Sequence, residues 1–330
     1  MKGLPRILLL VLFAAALAAG RADGREDTLR IGVLFWHDSP NDTAAYEGVK
    51  DGFRLAGMKA EWLVVSAGED REAADRALEA WEAAGVDLVY ALGTSAALRA
   101  KETIGETPVV FTAVTHPVGS GVVRDWKGSG GRLCGNSNWI ARADVFRVFQ
   151  AAVPGLARLG VILNPKNPVS GQELAEAKAF FADKANRDLK RKLVVELVDG
   201  PEDVAEAATK LVEAGVQAVW IPIDRDVYGH LDAITPVTEP AGVPLLSSQY
   251  SAVEKHRAIV GVAVDYHLLG MNSAVLAKKV LRDGADPGRL PVGRMKSFRV
   301  ILSLTAARRT KYRVPLPLLA WADTVLRETE

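Results

Sequence analysis

The sequence predicts an α/β protein with two doubly wound parallel-sheet lobes, one after the other along the chain. Apolar stretches alternate with amphipathic helical patterns, which is typical of parallel sheets covered by helices on both faces. The order of these stretches repeats once along the chain. The length of 330 residues also corresponds to about two domains of roughly 150 residues each.

Three pairs of predicted strands carry the repeat. The paired segments are 29–36 with 157–164, 84–90 with 214–220, and 108–112 with 244–248. Equivalent positions in the three pairs are separated by 128, 130 and 136 residues. Because order and spacing are both kept, we interpret the pattern as an internal repeat. The alternative is a general likeness among α/β units.

Helical patterns fill the segments between these strands. Asp70 is a typical N-cap, and the apolar residues that follow it share one face as far as Trp81. Gly85 and Gly215 are typical of positions just past a helix end, and Pro201 of a first helical turn. These signals predict a helix after each strand, as a doubly wound sheet requires.

Residues 1–22 are predicted to be a signal peptide. Lys2 and Arg6 precede an unbroken apolar run from Ile7 to Ala19, and small residues follow it, as in a secretory leader. The alternative, an uncleaved anchor, needs about 20 apolar residues to span a membrane. Removing the leader leaves 38 Lys and Arg against 40 Asp and Glu, a formal charge of −2. We expect a soluble periplasmic protein.

The charge of the chain argues against nucleic acid as a partner. There are 41 Lys and Arg against 40 Asp and Glu, a net charge of +1, and no basic cluster marks a phosphate-binding face. The single cysteine, Cys134, excludes an internal disulfide and metal sites built from four thiolates. We interpret Cys134 as a small buried residue of a strand.

The predicted topology places a binding site at the carboxyl ends of the strands, where ligands of open parallel sheets bind. If the two lobes face each other, the segments at those ends line one cleft. The candidate ligand-binding residues are Trp36, His37, Thr94, Ser95, Val114, Thr115, His116, Asn136, Asn164, Asp224, Ser247, Ser248, Tyr250 and Asp265.

The hydroxyl-bearing candidates predict a solute that carries a carboxylate. Thr94 and Ser95 lie where a helix is expected to start, and Thr115 follows a neighbouring strand. Free backbone N–H groups at a helix start bind anions, and hydroxyl groups add further donors. We therefore expect the carboxylate of a small solute to bind in this region.

The acidic and aromatic candidates extend the prediction to a zwitterion. Asp224 and Asp265 could receive an ammonium group, and Trp36 or Tyr250 could cover an apolar or aromatic side chain. An amino acid combines these features. A neutral sugar also suits aromatic rings and carboxylates, and it is the alternative ligand.

A search for catalytic motifs finds neither a P-loop, nor a dinucleotide-binding glycine motif after a strand, nor a nucleophile elbow. The five histidines are not paired at metal-binding helical spacing, and only His116, before Pro117, is expected near ligand. We therefore predict no catalytic residue, metal or cofactor. The alternative is a secreted hydrolase or isomerase that uses Asp224 or Asp265 as its base.

Four stretches make the sequence recognisable: Gly93–Ala97, Pro108–Val118, Gly261–Tyr266 and Val314–Asp323. With them, nearly the whole chain from about Leu29 resembles the ABC-transporter substrate-binding proteins of the tryptophan/tyrosine type, which have the type I periplasmic-binding-protein fold. The resemblance implies capture of a small solute in the periplasm and its delivery to an ABC permease with its ATPase. We expect the mature protein to be a monomer. A sensory protein that presents the solute to a membrane receptor is the alternative.

The resemblance also implies a three-segment hinge between the lobes. We place the crossings near Asn138, near residues 251–255 and near residues 290–294. The N-terminal lobe is then 29–138 plus 256–290, and the C-terminal lobe 139–255 plus 291–330. Two departures from the family pattern, His116-Pro117 and Cys134-Gly135-Asn136, lie near the cleft, so the family's preference for aromatic amino acids is not simply inherited.

Overall fold

The computed structural model describes residues 28–295 and 298–327, and within them the two-lobed α/β architecture is confirmed. The predicted signal peptide, residues 1–22, lies outside the described residues. None of the described helices is long and apolar enough to cross a membrane.

The first lobe is built on a six-stranded sheet with the order β11-β5-β4-β3-β1-β2. Its strands are β1 (Leu29–Phe35), β2 (Ala60–Ser66), β3 (Leu88–Leu92), β4 (Val109–Val114), β5 (Leu133–Ser137) and β11 (Gly293–Arg294). Its helices are α1 (Pro40–Leu55), α2 (Arg71–Ala83), α3 (Thr94–Thr103) and α11 (Tyr266–Leu281). Separate apolar clusters cover the two faces of this sheet, as expected of a doubly wound lobe.

The second lobe is built on a seven-stranded sheet with the order β13-β12-β10-β9-β8-β6-β7. Its strands are β6 (Arg158–Leu163), β7 (Lys192–Leu197), β8 (Ala218–Ile221), β9 (Leu245–Ser247), β10 (Val260–Ala263), β12 (Arg299–Ser303) and β13 (Thr324–Leu326). Its helices are α4 (Arg142–Ala152), α5 (Pro168–Ala182), α6 (Lys184–Asp188), α7 (Val204–Glu213), α8 (Arg225–Tyr228), α9 (Leu231–Thr238), α10 (Tyr250–Glu254), α12 (Leu304–Arg309) and α13 (Leu316–Trp321).

The two sheets share the topology that the sequence repeat predicts. Five parallel strands in the order β2-β1-β3-β4-β5 correspond to five in the order β7-β6-β8-β9-β10. The second sheet differs at one edge, where β12 pairs antiparallel with β10 and β13 runs parallel to β12. The sequence does not reveal this reversal, because strand direction follows from the path of the chain through the hinge.

Within the described residues the chain passes between the sheets three times, and two of the predicted lobe ranges are wrong. The predicted first-lobe range 256–290 contains β10, yet β10 lies in the second sheet, between β9 and β12. The predicted second-lobe range 291–330 contains β11, yet β11 pairs with β5 in the first sheet. The crossings follow β5, β10 and β11. An apolar strand pattern does not indicate which sheet the strand joins.

Close helix packing fixes α11 to the first lobe. Gly48 of α1 and Gly270 of α11 let the two backbones touch. A Cβ atom on Gly270 would lie 1.8 Å from the carbonyl oxygen of Ala45, and one on Gly48 would lie 1.9 Å from that of His267. Since only glycine permits this approach, α11 and the loop before it are held on the first-lobe side of the cleft.

Candidate functional site

A cleft of about 760 Å³ lies between the lobes, at the carboxyl ends of the parallel strands. Its size is within the usual range for small-molecule sites, about 300–1,000 Å³. The first lobe contributes the segments after β1, β3 and β4 and the start of α11, and the second lobe contributes α4, β10 and the segments after β8 and β9. The site is therefore where an open α/β topology places it.

Six of the fourteen predicted site residues line this cleft. Three follow strands of the first sheet, one caps α11, and two follow β9: His37, Thr94, Thr115, Asp265, Ser248 and Tyr250. The other eight are not among the lining residues. Five of them are buried: Val114, Asn136, Asn164, Asp224 and Ser247.

Asp224 and Asn164 bind each other's loops instead of facing the cleft. The Asp224 carboxylate is fully buried, accepts from the backbone N–H of Asn164 at 2.7 Å, and caps α8 through the N–H of Asp226 at 3.1 Å. The Asn164 amide donates to Asp199 O and to the carboxylate of Asp226. Asp224 is therefore not available to receive a ligand ammonium.

Asn136, Val114 and Ser247 are buried within their strands. The Asn136 amide donates to Ser273 Oγ at 2.9 Å and so holds α11 on the sheet. Ser247 Oγ accepts from the backbone N–H of Gln249 at 2.9 Å. These three side chains therefore have a structural role inside the lobes.

Trp36, Ser95 and His116 lie outside the lining for different reasons. Trp36 packs against the apolar cluster of the first lobe. Of the two aromatic residues predicted to cover the solute, only Tyr250 lines the cleft, together with Tyr228 and Tyr266. Ser95 is the second residue of α3, one position past the lining residue Thr94. His116 packs between Trp126 and Trp139.

The start of α3 opens into the cleft without a side-chain cap. Its N-cap is Gly93, with φ +86°, and no side chain bonds to the first N–H groups. Gly93 and Thr94 both line the cleft. The four N–H groups at a helix start lack partners within the helix, so this end offers donors and a favourable dipole to an anion.

Asp42, which is not among the predicted site residues, lines the first-lobe side of the cleft. It is 7% exposed and lies in the first turn of α1, where Ser39 Oγ accepts from its N–H at 3.0 Å and donates to its carboxylate at 2.8 Å. Burial raises the pKa of Asp42, against the lowering effects of Ser39 and His37. The Ser39-x-x-Asp42 spacing is a capping signal that could have revealed it.

Asp265 is the second carboxylate of the first-lobe wall. One of its oxygens, Oδ1, accepts from Leu268 N–H at 3.0 Å and caps α11. Tyr266, the next residue in the chain, also lines the cleft, and its hydroxyl accepts from the Asn138 amide at 3.1 Å. Burial raises the pKa of Tyr266, so its hydroxyl stays protonated and keeps a proton to donate.

Arg142 is the second functional residue that sequence reasoning missed. It begins α4 and is buried, yet it reaches the cleft. Its guanidinium forms an ion pair with Glu173, donates to Ser248 Oγ at 2.9 Å, and lies over the Trp139 ring at 4.8 Å. Among the described residues its Nε has no hydrogen-bond partner. Nothing in the surrounding sequence distinguishes this buried arginine from an exposed one.

The two walls differ in charge and polarity. The first lobe brings Asp42 and Asp265 together with hydroxyl groups and the uncapped α3 start. The second lobe brings Arg142 and Arg299 together with apolar side chains, which are Ile140, Val145, Ile223, Val262, Val264 and Ile301. Such a cleft can bind a molecule that carries both charges and an apolar portion.

The described residues contain no group of three His, Cys, Asp or Glu that could hold a metal ion. Cys134 lies in β5 and is buried, and burial raises the pKa of its thiol to about 12. It therefore packs as a small apolar residue.

The chain is similar to known solute-binding proteins. A family model described as ABC transporter substrate binding protein matches residues 30–326. A tyrosine-binding protein of Clostridioides difficile (strain R20291) is 25% identical over 217 residues, or 66% of this chain. The match spans 61% of that relative's length, less than two thirds of it.

Two solved structures share the fold. One is an ABC domain from Streptococcus pneumonia in complex with L-Trp, with a TM-score of 0.69 and 23% identity, covering 91% of this chain and all of that one. The other is the ligand-free, open structure of a substrate binding protein with adhesive properties from Clostridium difficile. Its TM-score is 0.82 at 18% identity, covering 92% of this chain and all of that one.

Proposed function

Because this chain belongs to the family of ABC transporter substrate-binding proteins, we propose that it captures a small amino acid-like zwitterion in the cleft between its lobes. The solute carries a carboxylate, an ammonium group and an apolar or aromatic side chain. The protein then delivers it to an ABC permease that is driven by an ATPase. The type I periplasmic-binding-protein fold expected from the resemblance is confirmed.

One observation carries the choice of ligand: the first-lobe wall combines an anion-binding helix start with two carboxylates. The carboxylate of the solute lies at Gly93 and Thr94, where α3 lacks a side-chain cap, and Thr115 adds a hydroxyl. The ammonium lies towards Asp42 and Asp265. Charge-assisted hydrogen bonds of this kind contribute about 1.5–3 kcal/mol each.

The second lobe supplies the contact for the side chain of the solute. Its apolar residues and the exposed ring of Tyr250 suit an aliphatic or aromatic group. A binding role for aromatic amino acids is named for two relatives, the tyrosine-binding protein and the L-Trp complex. The same preference is proposed here, although His116 and Cys134 replace the usual family residues nearby.

We further propose that the mature protein is a periplasmic monomer that binds its solute without transforming it. The apolar run after Lys2 and Arg6 supports export, and the family is one of binding proteins. The three chain crossings between the lobes support closure by a hinge motion around the solute. Purification from an osmotic-shock fraction as a monomer tests this part.

A thermal-shift screen tests the ligand class. The mature protein is heated with each of the amino acids, and with nucleosides, neutral sugars and small carboxylates as competing classes. A ligand at 100 times its dissociation constant stabilises the folded state by about 2.7 kcal/mol. We expect the largest rise in Tm from an apolar or aromatic amino acid. A rise from neutral sugars alone would replace the zwitterion with a carbohydrate.

A further inference from the structure

Five side chains form a continuous stack at the hinge. The Arg142 guanidinium lies over the Trp139 ring at 4.8 Å, and Trp139 meets the His116 ring edge-to-face at 5.0 Å. His116 meets Trp126 in the same way at 5.5 Å, and the Arg294 guanidinium lies over Trp126 at 3.7 Å. We call these five residues the hinge stack.

The hinge stack joins the two lobes beside two of the chain crossings. His116 and Trp126 belong to first-lobe loops, and Arg294 to β11. Trp139 lies in the first crossing, and its indole N–H donates to Glu176 of α5 at 2.9 Å. The contact between His116 and Trp139 therefore connects the first lobe to the second. At the far end, Arg142 reaches the cleft.

The hydrogen bond that His116 accepts in its loop requires a neutral imidazole ring. Its Nδ1 lies 2.8 Å from the backbone N–H of Gly119 and accepts its hydrogen bond, so Nδ1 carries no proton. Its backbone has φ +50°, a left-handed conformation that is uncommon for a residue other than glycine. The loop that presents the ring is thus built around this one bond.

The charges around His116 come from both lobes. Glu176 of α5 faces it through Trp139, Arg294 of β11 lies across Trp126, and Arg142 of α4 lies across Trp139. Burial has the largest effect on the pKa of His116 and lowers it from its ordinary value of 6.5. Glu176 and a hydrogen bond to the backbone of His116 itself raise it, Arg294 lowers it, and the net direction is downward. The neutral form is therefore the one that this packing favours.

We propose that His116 is a positioning residue which, when neutral, holds Trp139 of the first crossing against the first lobe and so restricts the hinge, and which releases Trp139 when it is protonated. Protonation of Nδ1 places two donors against each other at Gly119. Protonation of His116 also adds a third positive charge to the hinge stack, which already has an arginine at each end. The loop must then move, and the ring leaves Trp139.

The direction of the pH effect follows from the lowered pKa. The restricting contact is fully present above the ordinary pKa of about 6.5. It is lost as the pH falls through the lower pKa of His116 in the folded protein. An exported protein meets the pH of its surroundings, so acidification would loosen the hinge and weaken solute binding. This last step rests on the proposed function, whereas the loosening itself does not.

The test measures the distance between the lobes without any ligand. Spin labels are attached at two exposed positions, Asp38→Cys after β1 in the first lobe and Arg225→Cys at the start of α8 in the second lobe. The buried Cys134 is left unlabelled. Pulsed electron spin resonance at pH 7.5 and pH 5.0 gives the distance distribution. We expect a broader distribution at pH 5.0 than at pH 7.5.

His116→Asn isolates the titration of His116 from that of other groups. The Asn carbonyl oxygen can replace Nδ1 as the acceptor for Gly119, Asn tolerates the left-handed conformation, and it does not titrate. The variant should give the same distribution at both pH values. If it does not fold, His116→Gly keeps the backbone accessible, removes the ring, and should likewise show no pH response.

His256→Asn is the matched control. His256 also has a left-handed backbone, with φ +53°, and its Nδ1 lies 2.8 Å from Ser303 Oγ, in the second lobe. His256→Asn should show the same broadening of the distance distribution at pH 5.0 as the unsubstituted protein. Identical distributions at both pH values in the unsubstituted protein, or a response that persists in His116→Asn, would overturn the proposal.

Titration with L-tryptophan separates this proposal from the proposed function. We expect its affinity to fall at least about fivefold from pH 7.5 to pH 5.0, a typical size for coupling between sites, and to fall less in His116→Asn. If the ratio of the affinities at pH 7.5 and pH 5.0 is the same in His116→Asn and in the unsubstituted protein, His116 does not couple pH to solute binding. If L-tryptophan does not bind at all, the ligand class fails, and the distance measurement still decides the role of His116.

Discussion

Arg142 and Glu173 form an ion pair in which both side chains are almost completely buried, at 2% and 0% exposure, on the second-lobe wall of the cleft. The backbone N–H of Ile223 donates to the second Glu173 oxygen at 2.5 Å. Ser248 Oγ accepts from Arg142 and also from the indole N–H of Trp220. This network holds the second-lobe side of the cleft in place without help from a bound solute.

Glu173→Gln should destabilise the protein strongly. The substitution removes the charge that compensates buried Arg142, which typically costs about 3–5 kcal/mol. Urea unfolding measures the difference. Asp144→Asn is the matched control, since Asp144 pairs with Arg147 at the surface, where such pairs contribute at most about 1 kcal/mol. Equal stability of the Gln variant and the unsubstituted protein would contradict a buried ion pair.

Thr94→Ala should weaken solute binding, and Ser95→Ala should not. The two hydroxyl-bearing residues are adjacent, but only Thr94 lines the cleft. Loss of a hydrogen bond to a carboxylate, about 1.5–3 kcal/mol, corresponds to at least about a tenfold rise in Kd. Calorimetric titration of both variants with L-tryptophan measures it. Equal losses in the two variants would count against the α3 start as the carboxylate site.

Asp265→Asn should weaken binding by at least about tenfold, because it removes a carboxylate from the cleft. Asn is also a good N-cap, so α11 keeps its start and the effect is one of charge. Asp224→Asn is the control: Asp224 is also a capping residue, but it is buried away from the cleft. Its affinity should stay within about twofold of the unsubstituted protein. A larger loss in Asp224→Asn than in Asp265→Asn would reverse the assignment.

Cys134 should resist alkylation in the folded protein. With a pKa of about 12, its thiolate fraction at pH 8 is about one in ten thousand, against roughly a quarter for a free cysteine of pKa 8.5. Iodoacetamide labelling followed by mass spectrometry should modify the protein only after urea is added. Rapid labelling without urea would mean that β5 opens or that the thiol is exposed.

Much of the fold could be predicted from the sequence, because its signals are local. The apolar run at Leu29, the cap at Asp70 and the turn at Gly85 each act within a few residues of themselves. The lobe boundaries could not be placed in the same way. Val260–Ala263 looks like any buried strand, and only its pairing with β9 and β12 assigns it to the second sheet.

The candidate site was predicted only in part, for a related reason. A polar residue after a strand is easily found, and Thr94 and Asp265 do line the cleft. Whether the polar atoms of such a residue are free to bind a ligand depends on hydrogen-bond partners that lie far away in the sequence. Asp224 is occupied by Asn164, 60 residues away, and Arg142 is buried by Glu173, 31 residues away.

Calorimetric titration with L-tyrosine, L-tryptophan and the decarboxylated amine of each tests the central claim most directly. The account predicts that at least one amino acid binds with a stoichiometry of one. It also predicts that the matching amine, which lacks the carboxylate, binds at least about tenfold more weakly. Equal affinities for an amino acid and its amine would contradict it, and so would binding of a neutral sugar with no binding of either amino acid.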